Sequence, residues 1–285
     1  MAGRDRRARL ARMLRVGCVK YLNARPLIHG WSGEVDFDHP LTLCERLANG
    51  QLDVALVSSF EFLRNPIYRI VDDVSISSDG PVYSVVVAHH GGISRIKEIE
   101  LDPASQTAVN LLRCLLAELG LNPRLIRGDT GSASKAFGAG GGSPPQDGFA
   151  VANLPTHRAR LLIGDQAIRF RQEHGSDFHF WDLGEQWKEL VDFPFVYALW
   201  LVRPEVADAK TIANRLRALR NENLANLDGL IAEEKDFNPQ FSSCYYREHL
   251  RFSFGGREKK GLRTFADLCE KHGLLEKYDL PLDLV

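Results

Sequence analysis

Residues 41–63 read LTLCERLANGQLDVALVSSFEFL, and the order of elements in them decides the fold class. Apolar residues spaced for one face of a helix run from Leu41 to Asn49, and Gly50 stands where a helix-ending glycine belongs. The unbroken apolar run Val54 to Val57 then reads as a buried strand. Ser58 with Glu61 three residues on is a capping-box pattern, opening a short helix to about Leu63. Helix, turn, buried strand and helix in so short a span predict α/β architecture with a parallel sheet, where ligands gather at the carboxyl ends of strands.

Upstream, Val16 to Leu27 reads VGCVKYLNARPL. The run from Arg15 to Leu22 predicts another strand, delivering Asn23 and Arg25 at its end. An amide and a guanidinium there need partners once water is excluded, so this strand end faces a ligand; Arg25 also fits a surface charge. Downstream, Val82 to Ala88 follows Gly80 and Pro81 as a strand carrying Ser84, and the chain breaks at Gly91 and Gly92. Ile99 to Leu101 reads as a strand, Ser105 to Leu119 as a helix closed by Gly120, and Leu161 to Ile163 as a strand running into Gly164 and Asp165. Residues 138–148, GAGGGSPPQDG, form a loop without the glycine spacing of a phosphate-binding turn. Phe193 to Val202 is an apolar segment long enough to cross between lobes. The chain after Ala207 is mainly helical, with a helix from about Gly261 to His272 ended by Gly273.

Short polar residues thus follow apolar runs or open helices at Asn23 and Arg25, at Ser58 and Ser59, at Ser84, at Ser105 with Thr107, and at Asp165. Helix starts offer free N–H groups to anions, and several converging would bind a small carboxylate. Each residue also has a structural role open to it. Ser58, Ser105 and Asp165 suit helix N-caps, and Ser84 suits a strand serine bonded to backbone.

At 285 residues the chain exceeds the usual single-domain length, which predicts two lobes. Lys+Arg number 36 against 37 Asp+Glu, so no global field favours nucleic acid or an anionic membrane, and an anionic ligand must be held by local groups. Cys18, Cys44, Cys114, Cys244 and Cys269 lack CxxC or Cys/His spacing and read as reduced core thiols. The first fifteen residues carry six arginines but no apolar run of signal-peptide length follows them. Nothing reaches the roughly 18 apolar residues of a membrane span, so a cytoplasmic protein is expected. His89 and His90 are neighbours on a strand and point to opposite faces, which argues against shared metal ligation. HExxH, GxSxG and Cys/His nucleophile patterns are absent. Tyr245, Tyr246, Phe252 and Phe254 read as core packing rather than a base-stacking platform.

The segments VGCVKYLNARPL, LANGQLDVALVSSFEF, SSDGPVYSVVV, LDPASQTAVNLLRCLLAE, ARLLIGDQAI, WDLGEQW, FPFVYALW and LRFSFGGREKKGLRTF together run from about Arg15 to Gly273. In this order and spacing the chain resembles the chorismate dehydratases of the futalosine route to menaquinone. The resemblance implies a two-lobed periplasmic-binding-protein type II fold with mixed sheets and a helical C-terminal part. It agrees with a discontinuous first lobe of residues 13–90 and 193–285, a second lobe of 91–192, and a ligand cleft between them. It further implies elimination of water from the dicarboxylate chorismate to give 3-[(1-carboxyvinyl)oxy]benzoate, with no metal or redox cofactor.

On that pattern Asn23 and Ser84 are the catalytic polar residues, and Ser105, Gln106 and Thr107 form a carboxylate-binding helix start. Arg25, Ser58, Ser59 and Asp165 complete the expected substrate contacts. None of these motifs holds a histidine, so the ring proton is expected to pass to the substrate's own enolpyruvyl carboxylate. The chain departs from the pattern at Gln106 and Ala108 (Arg and Ser in the family), at Ser58 (Pro) and at Val191–Asp192 (Thr-Gly). Losing an arginine at an anion-binding helix start removes a contact worth about 1.5–3 kcal/mol, unless Arg25 or another cation replaces it. Two other readings fit the same fold: a non-catalytic carboxylate-binding protein, which normally carries an export signal, and dihydroxynaphthoate synthase, whose opening motif is missing where VGCVKYLN stands.

Overall fold

The computed structural model describes residues 14–102, 105–127, 154–277 and 280–285. The loop expected at 138–148 and the arginine-rich start before Leu14 lie outside the described residues.

The chain begins with β1 (Val16–Cys18), α1 (Arg25–Ile28), β2 (Val35–Phe37), α2 (Pro40–Ala48), β3 (Val54–Ser58), α3 (Ser59–Arg64) and β4 (Arg69–Ser78). It continues through β5 (Val85–His89), β6 (Glu98–Leu101), α4 (Gln106–Glu118), β7 (Arg124–Arg127), β8 (Arg158–Ile163), α5 (Gly164–His174), β9 (His179–Asp182) and α6 (Leu183–Val191). It closes with β10 (Phe195–Val202), α7 (Ala209–Ala225), α8 (Leu227–Ala232), α9 (Pro239–Cys244), a π-helical turn (Tyr245–His249) and α10 (Gly256–Lys271). Two five-stranded sheets result, ordered β2-β1-β3-β10-β4 and β7-β6-β8-β5-β9. β1 pairs parallel with β2 and β3, and β6 with β7 and β8, whereas β10 and β5 run antiparallel to both of their neighbours. Both sheets are therefore mixed.

The helix read from Leu41 and the strand read from Val54 appear as α2 and β3, and Gly50 does adopt a left-handed φ of 69°. Three features differ from the sequence reading. β5, read with the first lobe, pairs with β8 and β9 in the second sheet, so the change of sheet falls between Ser78 and Val85 rather than at Gly91. All five residues of β5 are buried. A strand buried on both faces carries no alternation to say which sheet it joins. β10, read as a crossing segment, lies wholly within the first sheet, between β3 and β4. β4 was not legible because Asp72 and Asp73 interrupt its apolar run. Asp73 has φ 63°, and its carbonyl and carboxylate are held by the buried Arg220 at 2.7 Å each.

An aromatic knot ties α6 to β10 and α10. Trp187 of α6 meets Phe195 of β10 at 5.0 Å and Phe265 of α10 at 6.0 Å between ring centroids, and its indole N–H donates to the Phe193 carbonyl at 2.9 Å. Gly261 lets α10 lie directly on the chain entering β10: a Cβ there would sit 2.0 Å from the Pro194 carbonyl oxygen, which is backbone and cannot swing away. Gly261→Ala is therefore expected to cost about 2–3 kcal/mol of unfolding free energy in urea denaturation, the scale of core overpacking.

Candidate active site where the two lobes meet

The strand ends of the two lobes face each other at two places. At the first, β1 stops at Cys18 and the chain turns through a short 3-10 helix, Leu22–Ala24, which carries Asn23. Opposite it, β8 ends and α5 begins at Gly164, with φ +57° and the Tyr21 ring 3.1 Å from where its Cβ would be. Only glycine combines that backbone with so close a ring. The approach lets Leu22 N–H donate to Asp165 Oδ1 at 2.9 Å. Asp165 thus does not cap its own helix, the structural role open to it in the sequence; its carboxylate reaches across to the other lobe. Walled by protein, that carboxyl is pushed up to about 7, burial outweighing the Leu22 hydrogen bond and the pull of Arg169, with Glu234 and Asp236 adding to the rise.

At the second place the starts of α3 and α4 meet. The capping box read at Ser58 and Glu61 does not form, because Ser58 Oγ has turned outward to the other lobe. It hydrogen-bonds the Thr107 hydroxyl and accepts from Thr107 N–H at 3.2 Å. Thr107 Oγ1 in turn accepts from Phe60 N–H at 3.0 Å and lies 3.3 Å from Ser59 Oγ, which donates to the Val196 carbonyl at 2.7 Å. Ser105 is the N-cap of α4, accepting from Ala108 N–H at 3.1 Å. Gln106 is the first residue of α4, half-buried, its carbonyl holding the Asn110 amide at 2.9 Å. Ser58, Ser59 and Thr107 are therefore brought together, with one another as partners.

Ser84 lies on the segment that changes sheet, its carbonyl accepting from Gly164 N–H at 2.8 Å. Tyr83, before it, has φ 68°, a conformation that a bulky residue adopts only when held. Asp182 holds it: the buried carboxylate accepts from Val82 N–H at 3.0 Å and Tyr83 N–H at 2.8 Å, and also caps α6 through Gly184 and Glu185. The Arg171 guanidinium covers the Tyr83 ring at 4.1 Å. Ser84 Oγ accepts a hydrogen bond of 2.7 Å from the hydroxyl of Tyr245, so it is not the backbone-bonded strand serine that the sequence also allowed. Asn23 stands beside the same phenol, and its Oδ1 is buried without a hydrogen-bond partner. Asn23 and Ser84 are thus both brought to Tyr245.

Arg25 is placed on the Asp165 side of the site. It lines a cavity of about 550 Å³ with Tyr21, Leu22, Trp31, Asp165 and Phe237, and its guanidinium is engaged by Glu234.

Two residues of this site escaped the sequence reading. Tyr245 reads as core packing, and it is fully buried, but its hydroxyl serves Ser84. Asp182 had a legible signal, since D-L-G-E at 182–185 is itself a capping-box pattern, and the four backbone groups it gathers only become apparent in three dimensions.

The family described as menaquinone biosynthesis matches this chain over residues 14–140 and 144–271. A chorismate dehydratase of Thermus thermophilus is 28% identical over 273 residues, covering 88% of this chain and 93% of that protein. Among solved structures, protein AF1704 of Archaeoglobus fulgidus superposes with a TM-score of 0.65 at 16% identity, over 92% of this chain and 98% of that one. The periplasmic aliphatic sulphonate binding protein SsuA of Escherichia coli does so with 0.57 at 13% identity, over 94% and 89%. The architecture is that of the periplasmic binding proteins, and no helix among the described residues is long and apolar enough to cross a membrane. From a family match that spans both sheets and every strand end described above, the chain belongs to the menaquinone biosynthesis family.

Proposed function

We propose that the chain is a chorismate dehydratase, a carbon–oxygen lyase of the cytoplasm that removes the ring hydroxyl and a neighbouring ring proton of chorismate as water, leaving 3-[(1-carboxyvinyl)oxy]benzoate. The reading is carried by one observation: Ser84, on the segment that changes sheet, takes a hydrogen bond from the buried Tyr245 phenol beside Asn23, whose amide oxygen is left over. The cleft lies between a first lobe of residues 14–78 and 195–285 and a second of 85–182. The elimination is redox-neutral and ends in an aromatic ring, so the protein has chiefly to hold the substrate and stabilise charge as the hydroxyl departs.

Asp165 is an acid whose charge reaches Tyr245. A substrate with two carboxylates would be repelled by an ionised Asp165, whereas a protonated one can donate a hydrogen bond to it. Burial keeps a large share of it protonated at neutral pH. The ring proton then goes to the substrate's enolpyruvyl carboxylate, held against it in the closed cleft. Asp165→Asn, which keeps a donor at that place, is expected to retain kcat within a few-fold. Because the folded carboxyl is raised to about 7, wild-type kcat/KM should fall as pH rises through that value and Asp165 ionises; the variant should lose this dependence. Loss of kcat with intact chorismate binding and an unchanged fold would make Asp165 the base and sink the idea.

The function itself is tested by incubating purified protein with chorismate and following loss of water by mass spectrometry together with new aromatic absorbance. Turnover is expected. Binding without turnover would instead identify a carboxylate-binding protein of the same fold.

A further inference from the structure

We propose that Tyr245 is a positioning residue that fixes which way the hydrogen bond at Ser84 runs, so that Ser84 meets the substrate as a donor. The assignment rests on the dehydratase reading above and goes beyond it in giving the serine one direction.

A phenol has a single proton to give. Tyr245 gives it to Ser84 Oγ at 2.7 Å. With that acceptor position filled, the serine's own proton is left for a different acceptor, which the dehydratase reading makes the substrate. Asn23 stands beside the same phenol, its own Oδ1 buried without a hydrogen-bond partner. A donor at Ser84 suits a substrate that presents an anionic oxygen there. Burial pushes the phenol up from its ordinary value, so it stays protonated and the direction does not reverse in the neutral range.

The surrounding structure holds Tyr245 in this role. It opens the π-helical turn Tyr245–His249, whose extra residue per turn re-aims side chains and is frequent at functional sites. Phe241 stacks on its ring at 5.6 Å and 14°. The hydroxyl of the next residue, Tyr246, donates to the Leu22 carbonyl at 2.8 Å, tying the turn to the segment that carries Asn23.

The test measures kcat, KM and melting temperature for wild type, Ser84→Ala, Tyr245→Phe and the double variant, with chorismate as substrate. Tyr245→Phe is expected to lower kcat by about 10- to 100-fold with KM within about threefold, since it misdirects groups rather than removing them. The double variant should be no slower than Ser84→Ala alone, because Tyr245 acts through Ser84. An unchanged kcat in Tyr245→Phe, or losses that multiply in the double variant, would overturn the assignment. Should Tyr245→Phe fold poorly, 3-fluorotyrosine placed at 245 keeps the shape and makes a stronger donor; a kcat altered by at least about twofold supports the role and an unaltered one refutes it. Wild type that makes no product refutes the dehydratase reading instead, so the two failures are distinguishable.

Discussion

Asn23→Ala is expected to lower kcat/KM for chorismate by about 100- to 1000-fold while leaving the melting temperature within a few degrees of wild type. That is the scale on which removal of one oriented hydrogen-bond donor or acceptor slows reactions in which charge develops on oxygen. The fold should survive because Asn23 sits on a half-buried 3-10 turn whose neighbours Leu22 and Ala24 provide the packing. The loss should fall mainly on kcat, since the amide oxygen without a partner costs the empty enzyme stability and recovers it only when a substrate hydroxyl reaches it. Product formation followed by absorbance, beside chorismate binding measured calorimetrically, separates the two. Undiminished turnover would remove Asn23 from the site.

Asp182→Ala should produce the largest change in stability of any single polar substitution in this region, about 3–5 kcal/mol in denaturant unfolding. The side chain is 3% exposed and accepts from four backbone N–H groups on two segments. Truncation leaves all four without their acceptor and Arg171 without the carboxylate 3.7 Å away. It also frees Tyr83 from its left-handed conformation, worth about 1–3 kcal/mol of local strain, and the relaxation would carry Ser84 away from Tyr245. Activity should therefore fall even at temperatures where the variant is folded. Asp182→Asn, which keeps one oxygen, should lose less on both counts. A destabilisation under about 1 kcal/mol for the alanine variant would contradict this account of the turn.

Much of the candidate site is legible because short polar residues at the ends of apolar runs are visible one segment at a time. Asn23, Ser84 and Asp165 each stand out in this way. Their partners do not: Tyr245 is 161 residues from Ser84, and Asp165 is 143 from Leu22. A tyrosine among aromatic residues near a helix end has the same local pattern whether its hydroxyl is used or merely tolerated. Ser58 shows the opposite failure. Its capping box was a sound local inference, and it lost to a partner on α4 that no local pattern encodes. The lobe boundary was misplaced for a related reason, since Gly80–Pro81 and Gly91–Gly92 are both good breaks and a strand such as β5, buried on both faces, suits either sheet.

The contact of α3 with α4 bears on what binding means for this protein. A carboxylate arriving at the start of α4 finds the N–H groups of Thr107 and Ala108 already engaged by the hydroxyls of Ser58 and Ser105. The empty protein is its own competitor there. Association at that helix start is a substitution, one set of short oxygen contacts traded for another, and only the difference between anion and hydroxyl is gained. Affinity would then be modest and selectivity high, because a ligand with a merely neutral oxygen has nothing better to offer than the serines it displaces.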